Sequence, residues 1–391
     1  MPFVEPGDPA ELADAASELF EALFDGPSAY VARAPGRVNL IGEHTDYNRG
    51  LVLPLALPHA TYAAVAPRDD GRVRIASSHG DTTWTGTVDA LGPGEVSGWA
   101  SYVAGVLWAL REDGFEVPGL DVLVHSTVPL GAGLSSSAAL ECSVAVAVCG
   151  VLGLEPTPEV RRRLRDACIR AESEVAGAPT GGMDQTVSLL AEAGAALLID
   201  FDHDTTQPVP LDLADAGLAL LVTDTRVSHT LVDGGYAARR ADCEAAAAAL
   251  DVPSLRQASL MSVEELSDDR IQRRARHIVT EIERVRATVD AIEASDWSDV
   301  GRIFRASHTS MRDDFEISCP ELDVAVTFAV EAGALGARMT GGGFGGSSIA
   351  LVPEERVDAV IRAIDLAFGT EGFRPPAHLR AEPGPAAQLL G

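Results

Sequence analysis

The sequence predicts an α+β fold of two comparable halves, residues 1–205 and 206–391, with the functional site between them. Three observations carry this expectation. Strand-like and helix-like runs interleave without a repeating βα period, which argues against a doubly wound parallel sheet. A stretch marked by Pro208 and Pro210 divides the 391 residues into halves, each long enough for its own core. Two glycine-rich turns, at 131–133 and 341–346, lie one in each half, and each follows an apolar strand.

The elements read in order as follows. Leu12, Ala16, Leu19, Phe20 and Leu23 recur at helical spacing, so 9–24 is an amphipathic helix. Tyr30 to Ala34 is a short strand that Pro35-Gly36 breaks, and RVNLIGEHTD follows as a polar turn. Residues 51–57 and 60–66 are two further strands, and 72–76 alternates as a half-exposed one. A helix over 102–110, a strand over 120–124 and a helix over 138–149 come next. Residues 161–174 form an amphipathic helix whose arginines read as a solvated face. A turn, APTGGMDQ, leads a helix over 186–191, and 195–200 is a strand. In the second half, 218–223 is a strand and Asp233-Gly234-Gly235-Tyr236 opens an alanine-rich helix through Leu250. Ile271, Ile278, Ile282, Val285, Val289 and Ile292 give a long helix one buried stripe. Helices over 299–311, 324–332 and 355–368 and strands over 337–339 and 349–352 complete the chain.

Composition excludes whole classes of function. With 30 basic and 58 acidic side chains the formal charge is −28. Nucleic acid and anionic membranes both require a basic face, so neither is expected as a partner. Lysine is absent, and every basic side chain is Arg. That removes P-loop and protein-kinase lysines, Schiff bases and pyridoxal chemistry. An anionic ligand must then be met by arginines, helix N-termini and a divalent cation. Cys142, Cys149, Cys168, Cys243 and Cys319 are odd in number and widely spaced, as reduced thiols of a cytoplasmic protein would be. The N-terminus is acidic, unlike a signal peptide, and the longest apolar run, 142–154, is short of the ~20 residues that span a membrane.

The stretch Pro129 to Glu141, PLGAGLSSSAALE, joins a strand to a helix through Gly131 and Gly133. Such a junction is an anion site: glycines admit close approach to backbone N–H groups, and the helix start leaves further donors free. Ser135, Ser136 and Ser137 add a helix cap and hydroxyls that suit phosphate or a metal. Taken alone, Gly131, Gly133 and Ser136 also fit a degenerate dinucleotide fingerprint, with Glu155 near the ribose-binding offset, or a plain tight turn. The second glycine stretch favours two backbone segments closing on one polyphosphate.

Three segments resemble the galactokinase family of the GHMP small-molecule kinases: APGRVNLIGEHTDYN at 34–48, PLGAGLSSSAALE at 129–141 and MTGGGFGG at 339–346. GGMDQ at 181–185 and HTSMRDDFEISCPELD at 308–323 are similar to it as well. The resemblance implies a two-domain GHMP-kinase-like fold and transfer of phosphate from ATP to the 1-hydroxyl of galactose. It implies that Glu43, His44, Thr45 and Asp46 bind the sugar, with Gly182 and Tyr236 closing the pocket; carboxylates and imidazole suit a neutral polyol. Asp184 corresponds to the catalytic aspartate, which accepts the proton of the 1-hydroxyl or orients it. Arg37 corresponds to the arginine beside it, whose guanidinium stabilises charge on the transferring phosphoryl group. Leu130, Gly131, Ala132, Gly133, Leu134, Ser135 and Ser136 would hold ATP phosphates, and Ser77 the nucleotide. Ser136 and Glu172 match the Mg²⁺ positions, since a hydroxyl and a carboxylate suit a hard cation. The implied protein is a monomeric, cytoplasmic enzyme. Two other readings share the resemblance: a sister kinase for a sugar such as N-acetylgalactosamine, and a galactose- and ATP-sensing regulator without catalysis. The intact serine loop and Asp184 speak against the regulator. One departure is Ser347, which follows Gly346 where many relatives carry Cys.

Overall fold

The computed structural model describes residues 3–80, 82–227 and 234–390. Its strands, in chain order, are β1 (Tyr30–Asn39), β2 (Leu51–Val52), β3 (Pro54–Arg68), β4 (Arg72–Ser77), β5 (Trp84–Thr87), β6 (Gly119–Ser126), β7 (Ala195–Asp200), β8 (Thr205–Pro210), β9 (Leu218–Asp224), β10 (Gly336–Thr340), β11 (Ser347–Pro353), β12 (Ala377–Ala381) and β13 (Gln388–Leu389). Its helices are α1 (Pro9–Phe24), α2 (Ala100–Glu112), α3 (Ser136–Val151), α4 (Pro158–Arg170), α5 (Met183–Leu190), α6 (Gly235–Ala249), α7 (Leu260–Glu264), α8 (Asp269–Glu293), α9 (Trp297–Asp313), α10 (Pro320–Glu331) and α11 (Val357–Glu371). The α+β class holds.

A six-stranded mixed sheet, ordered β13-β1-β3-β6-β4-β5, organises the first half. Among the described residues only β4 and β6 run parallel. Strand alternation decides what each face covers. Ala32, Ala34, Ala63 and Val65 point to α2, α3 and α4, while Val31, Tyr62 and Ala64 point to α1. Helix α1 begins where the Asp8 carboxylate accepts the N–H groups of Ala10 and Glu11, with Pro9 in the first turn. Its Ala16, Phe20 and Phe24 are the buried stripe; burying one such Phe contributes roughly 1.5–3 kcal/mol.

In the second half a four-stranded antiparallel sheet, β10-β11-β9-β12, is sandwiched between helices. Ala219, Leu221, Ala337, Ala350 and Val352 face α10 and α11. Leu220, Val222, Met339, Ile349 and Leu351 face the other way, into a core shared with α8 and α9. That core also takes Leu40, Ile41, Leu53, Leu55 and Leu134 from the first half. The largest apolar cluster therefore crosses the expected division.

Several expectations are corrected. The Pro208–Pro210 stretch is the edge strand β8, paired with β7 in a three-stranded sheet with β2. An edge tolerates prolines because it has no outer partner for their missing N–H. The 205/206 division falls at the start of that strand, and β13 returns from the second half to pair with β1. Pro35-Gly36 does not end β1. The register shifts between Pro35, opposite Ala60, and Arg37, opposite Ala56, so β3 takes up two extra residues there while β1 runs on to Asn39. The runs at 51–57 and 60–66 are mostly one strand, β3, continuous through Pro58. The edge strands β5, β12 and β13 were not predicted; they are too short to show a period.

Helix α9 lies directly on the β10 backbone. A Cβ on Gly336 would sit 2.1 Å from the carbonyl oxygen of Gly301, and one on Gly301 2.4 Å from that of Leu335. Neither backbone can yield separately, so Gly336→Ala should destabilise by about 1–3 kcal/mol or more. Urea unfolding followed by circular dichroism checks this.

Candidate active site

The site forms where β1, α5, the 131–135 turn and the 341–346 turn meet. At the register shift between β1 and β3, Arg37 is turned inward and is only 5% exposed. Its Nε and Nη2 donate to the two carboxylate oxygens of Asp184, at 2.8 and 2.9 Å. Its Nη1 donates to the Gly133 carbonyl at 2.6 Å. Asp184 stands in the first turn of α5, behind Gly182, whose φ of 93° caps that helix. The Ser135 hydroxyl also donates to Asp184. One guanidinium thus ties the strand, the glycine turn and the acidic helix start together, in the bidentate geometry that makes such pairs strong.

A cavity opens beside this pair. Arg37, Glu43, His44, Asp46, Glu172, Asp184, Tyr236, Gly341 and Gly342 line it, with Pro179, Thr180 and Met183. Burial lifts the Asp46 carboxyl to about 6, with the charge of Asp184 adding to the effect. A Cβ on Gly181 would lie 1.9 Å from its Oδ2, so a side chain there would push the carboxylate aside. His44 has a left-handed φ of 65°. Its Nε2–H donates to the Gly342 carbonyl at 3.2 Å, and its Nδ1 accepts from the Tyr47 hydroxyl at 2.8 Å. Burial holds its pKa down at about 4, so the ring is a neutral wall packed against Tyr236 and Phe315.

Behind the wall lies a buried network. Arg338, 0% exposed, donates to Glu43 and to the Leu40 carbonyl, and pairs with Glu281 at 3.3 Å. The second Glu43 oxygen accepts the Gly341 N–H at 3.2 Å. Glu281 accepts the Gly42 N–H at 3.1 Å and the Ser307 hydroxyl at 2.6 Å. Burial alone would raise Glu281, but Arg284 and Arg338 outweigh it and hold the carboxyl at about 2. The turn that carries Glu43 and His44 is therefore gripped from the second half of the chain.

A second, more apolar cleft adjoins the glycine turn on its other side. Ser77, His79, Trp99, Tyr102, Leu130, Ser136 and Leu140 are among its lining residues. Between the clefts, α4 widens into a π-helical turn over Ala171–Val175, a feature frequent at functional sites. Glu172 sits on it, raised to about 7 by burial and by the nearby Asp184. Gln185 Nε2 donates to Glu172 at 2.5 Å and to the fully buried Glu141 at 3.0 Å.

Residues 18–67 match the family described as the galactokinase galactose-binding signature. Residues 101–192 match the GHMP kinases N terminal domain, and 288–370 the GHMP kinases C terminal. The chain is 48% identical over 385 residues to a galactokinase of Streptomyces coelicolor, covering 97% of this chain and 99% of that one. The chain belongs to the galactokinase family. A Bos taurus galactokinase is 41% identical, covering 93% of this chain and 94% of its own. The crystal structure of Lactococcus lactis galactokinase complexed with galactose superposes with a TM-score of 0.90 at 30% identity, covering 96% and 99% of the two chains. The Methanococcus jannaschii mevalonate kinase, at 14% identity and a TM-score of 0.66 over 94% and 99%, shares the fold.

Most of the expected site residues converge. Arg37, Asp184, Glu43, His44, Asp46, Tyr236 and Glu172 share the first cavity, and Ser77, Leu130 and Ser136 the second. Thr45 does not reach either. It is fully buried and its hydroxyl donates to the Leu51 carbonyl at 2.6 Å, which closes the turn. Gly182 is likewise absent from the cavity wall, which Thr180 and Met183 reach on either side of it; it serves as the helix cap. Ala132 and Leu134 are buried and offer backbone alone. The expected serine cap of α3 is not made: Ser135 is left-handed at φ 59° and its hydroxyl goes to Asp184. Sequence reasoning missed Thr180, Met183, Arg338, Glu281, Glu141 and Gln185. Only an arginine or acid within an apolar-period run hinted at Arg338, Glu141 and Glu281.

Removing Arg338 would leave Glu43 without its cation in the interior. Arg338→Met should cost about 3–5 kcal/mol of stability in urea unfolding. Arg286→Met, whose side chain is 44% exposed in its pair with Glu283, should cost under about 1 kcal/mol.

Proposed function

We propose that this galactokinase-family enzyme transfers the γ-phosphoryl group of ATP to the 1-hydroxyl of D-galactose, giving galactose 1-phosphate and ADP. The observation that carries this is the Arg37–Asp184 pair, which stands at the junction of a polyol-sized polar cavity and the glycine turn. Asp46, Glu43 and His44 offer a carboxylate, a fixed carboxylate and a neutral imidazole to sugar hydroxyls, and Tyr236 closes the cavity. The apolar second cleft suits a nucleotide base, with Ser77 at its edge and the turn at 130–136 beside the phosphates.

In this reading Asp184 accepts the hydrogen bond of the 1-hydroxyl and orients its oxygen toward the γ-phosphorus. The new O–P bond forms as the bond to ADP breaks, and the hydroxyl proton passes to the Asp184 carboxylate or onward to solvent. Arg37 stabilises the charge that spreads over the transferring phosphoryl oxygens. The donor set also fits Mg²⁺. Among the described residues no cluster of three or more His, Cys, Asp or Glu could hold a metal alone. Ser136 and Glu172 would complete a site whose remaining ligands are phosphate oxygens and water, the arrangement this ion favours. When bound, the ion would neutralise charge on the phosphates. The mutual repulsion of Glu172 and Asp184 fits a neighbouring cation.

Both walls of the cavity come from one chain, which supports a monomer as the working unit. Residues 1–205 and 206–391 act in this reading as two lobes that share the site. The free thiols of Cys142, Cys149, Cys168, Cys243 and Cys319 support the cytoplasm as its compartment. Among the described residues no helix is long and apolar enough to cross a membrane.

Coupled ADP release over a panel of hexoses tests the assignment: galactose should turn over, and its absence from the active set would sink the proposal. Asp184→Asn should keep galactose binding within a few-fold and lose on the order of 10²–10⁴ in kcat. A pH effect follows from Asp46, whose carboxyl sits at about 6. Ionised, it accepts hydrogen bonds from hydroxyls; protonated, it loses that capacity. Galactose affinity should thus be full above about pH 7 and fall as the pH drops through about 6. Calorimetric titration of galactose without nucleotide checks this, and Asp46→Asn should flatten the profile. His44, at about 4, stays neutral throughout that window.

A further inference from the structure

The β10–β11 hairpin closes at the paired residues Thr340 and Ser347. Both hydroxyls reach out of the hairpin into the first half of the chain. Thr340 Oγ1 donates to the Asn39 carbonyl at 2.9 Å and accepts the Asn39 N–H at 3.0 Å, which pins the end of β1. Ser347 Oγ donates to the Ala132 carbonyl at 2.7 Å, in the middle of the first glycine turn. Ser347 is 0% exposed and lines neither cleft. The residue before it is steadied in turn: the Gly346 carbonyl accepts the Thr225 hydroxyl at 2.6 Å and the Thr225 N–H at 3.0 Å.

The next two carbonyls of the turn are held from behind as well. That of Gly133 accepts Arg37 Nη1 at 2.6 Å, and that of Leu134 accepts the Arg37 backbone N–H at 3.0 Å. In a planar trans peptide the C=O and the following N–H point in opposite directions. Capture of the carbonyls of Ala132, Gly133 and Leu134 therefore aims the N–H groups of Gly133, Leu134 and Ser135 the other way. Among the described residues none of these three N–H groups has an acceptor in the chain. Three donors in succession, fixed and unspent, make an anion-binding concavity.

We propose that Ser347 is a positioning residue for this turn: its hydroxyl holds the Ala132–Gly133 peptide so that the Gly133 N–H faces the nucleotide phosphates. This rests on the reading that the turn receives ATP. Arg37 holds the other two peptides but also serves the phosphoryl group, whereas Ser347 touches no reacting atom. A thiol at 347 would be a weaker donor to the same carbonyl.

The test compares wild type with Ser347→Ala and Ser347→Cys, using MgADP as the calorimetric probe and KM for galactose as the control. Loss of one buried hydrogen bond should weaken MgADP by about three- to tenfold in Ser347→Ala, with the Cys variant in between and the galactose KM within about twofold of wild type. Unchanged MgADP affinity in Ser347→Ala would overturn the assignment. So would an equal loss of galactose and nucleotide with a lowered Tm, the pattern of a purely structural residue. If the alanine variant does not fold, the Cys variant carries the same comparison. A wild-type chain that binds no MgADP would overturn the nucleotide reading itself, not the role of Ser347 alone.

Discussion

Everything in this molecule that bears on chemistry converges on the guanidinium of Arg37. It reaches Asp184 with two parallel hydrogen bonds and the Gly133 carbonyl with a third, while its own backbone N–H holds Leu134. Three elements far apart in the chain are thereby fixed to one rigid, planar group. Lysine, a point charge on a flexible stem, has no such fork. A chain without lysine suits this design, because a single arginine supplies orientation as well as charge. Arg37 stands where the pairing of β1 with β3 shifts register, from Pro35 opposite Ala60 to Arg37 opposite Ala56.

The sugar-side wall is built at a cost. Glu43, Glu281 and Arg338 are withdrawn from water, and apolar residues of similar volume would join the two halves at least as firmly. What an apolar trio lacks is the power to fix a carboxylate and a backbone amide at the rim of a polar cavity. Arg338 fixes Glu43, Glu281 fixes the amide of Gly42, and the Gly341 N–H closes the circuit. Because Gly341 also begins the second glycine turn, the turn that faces the sugar and the turn that abuts the Gly133 segment share a hydrogen bond. The two halves of the cleft are thus mechanically continuous.

The parts that were legible in the sequence are those whose signal is local. Helices α1 and α8 show their buried stripes in order, and Arg37, Asp46, Asp184 and both glycine turns lie within short, dense segments. What was not legible depends on which distant residues meet. Arg338 looks like an isolated cation in an apolar strand until Glu43 and Glu281 close on it. Glu141 reads as a helix residue, yet it is fully buried and accepts a hydrogen bond from Gln185, beside Asp184. Thr45 sits among sugar-facing neighbours, but its hydroxyl is used to shut the turn that presents them. Ser347 looked like a minor departure in a motif, and it proves to hold the Ala132 carbonyl. Pro35 and Pro208 misled for the same reason: a proline forbids a hydrogen bond, and only the pairing shows whether one was needed there.

The pairing of β13 with β1 has a consequence for how the chain comes into being. Strand β1 is made early, but its outer neighbour, Gln388–Leu389, follows about 350 residues later along the chain. At a synthesis rate of about 5–20 residues per second, that strand waits roughly 20–70 s for its partner. Through that interval β1 presents an open edge, at which a neighbouring nascent chain could pair. The sheet of the first half is therefore completed only after the strands and helices of the second-half core have been made.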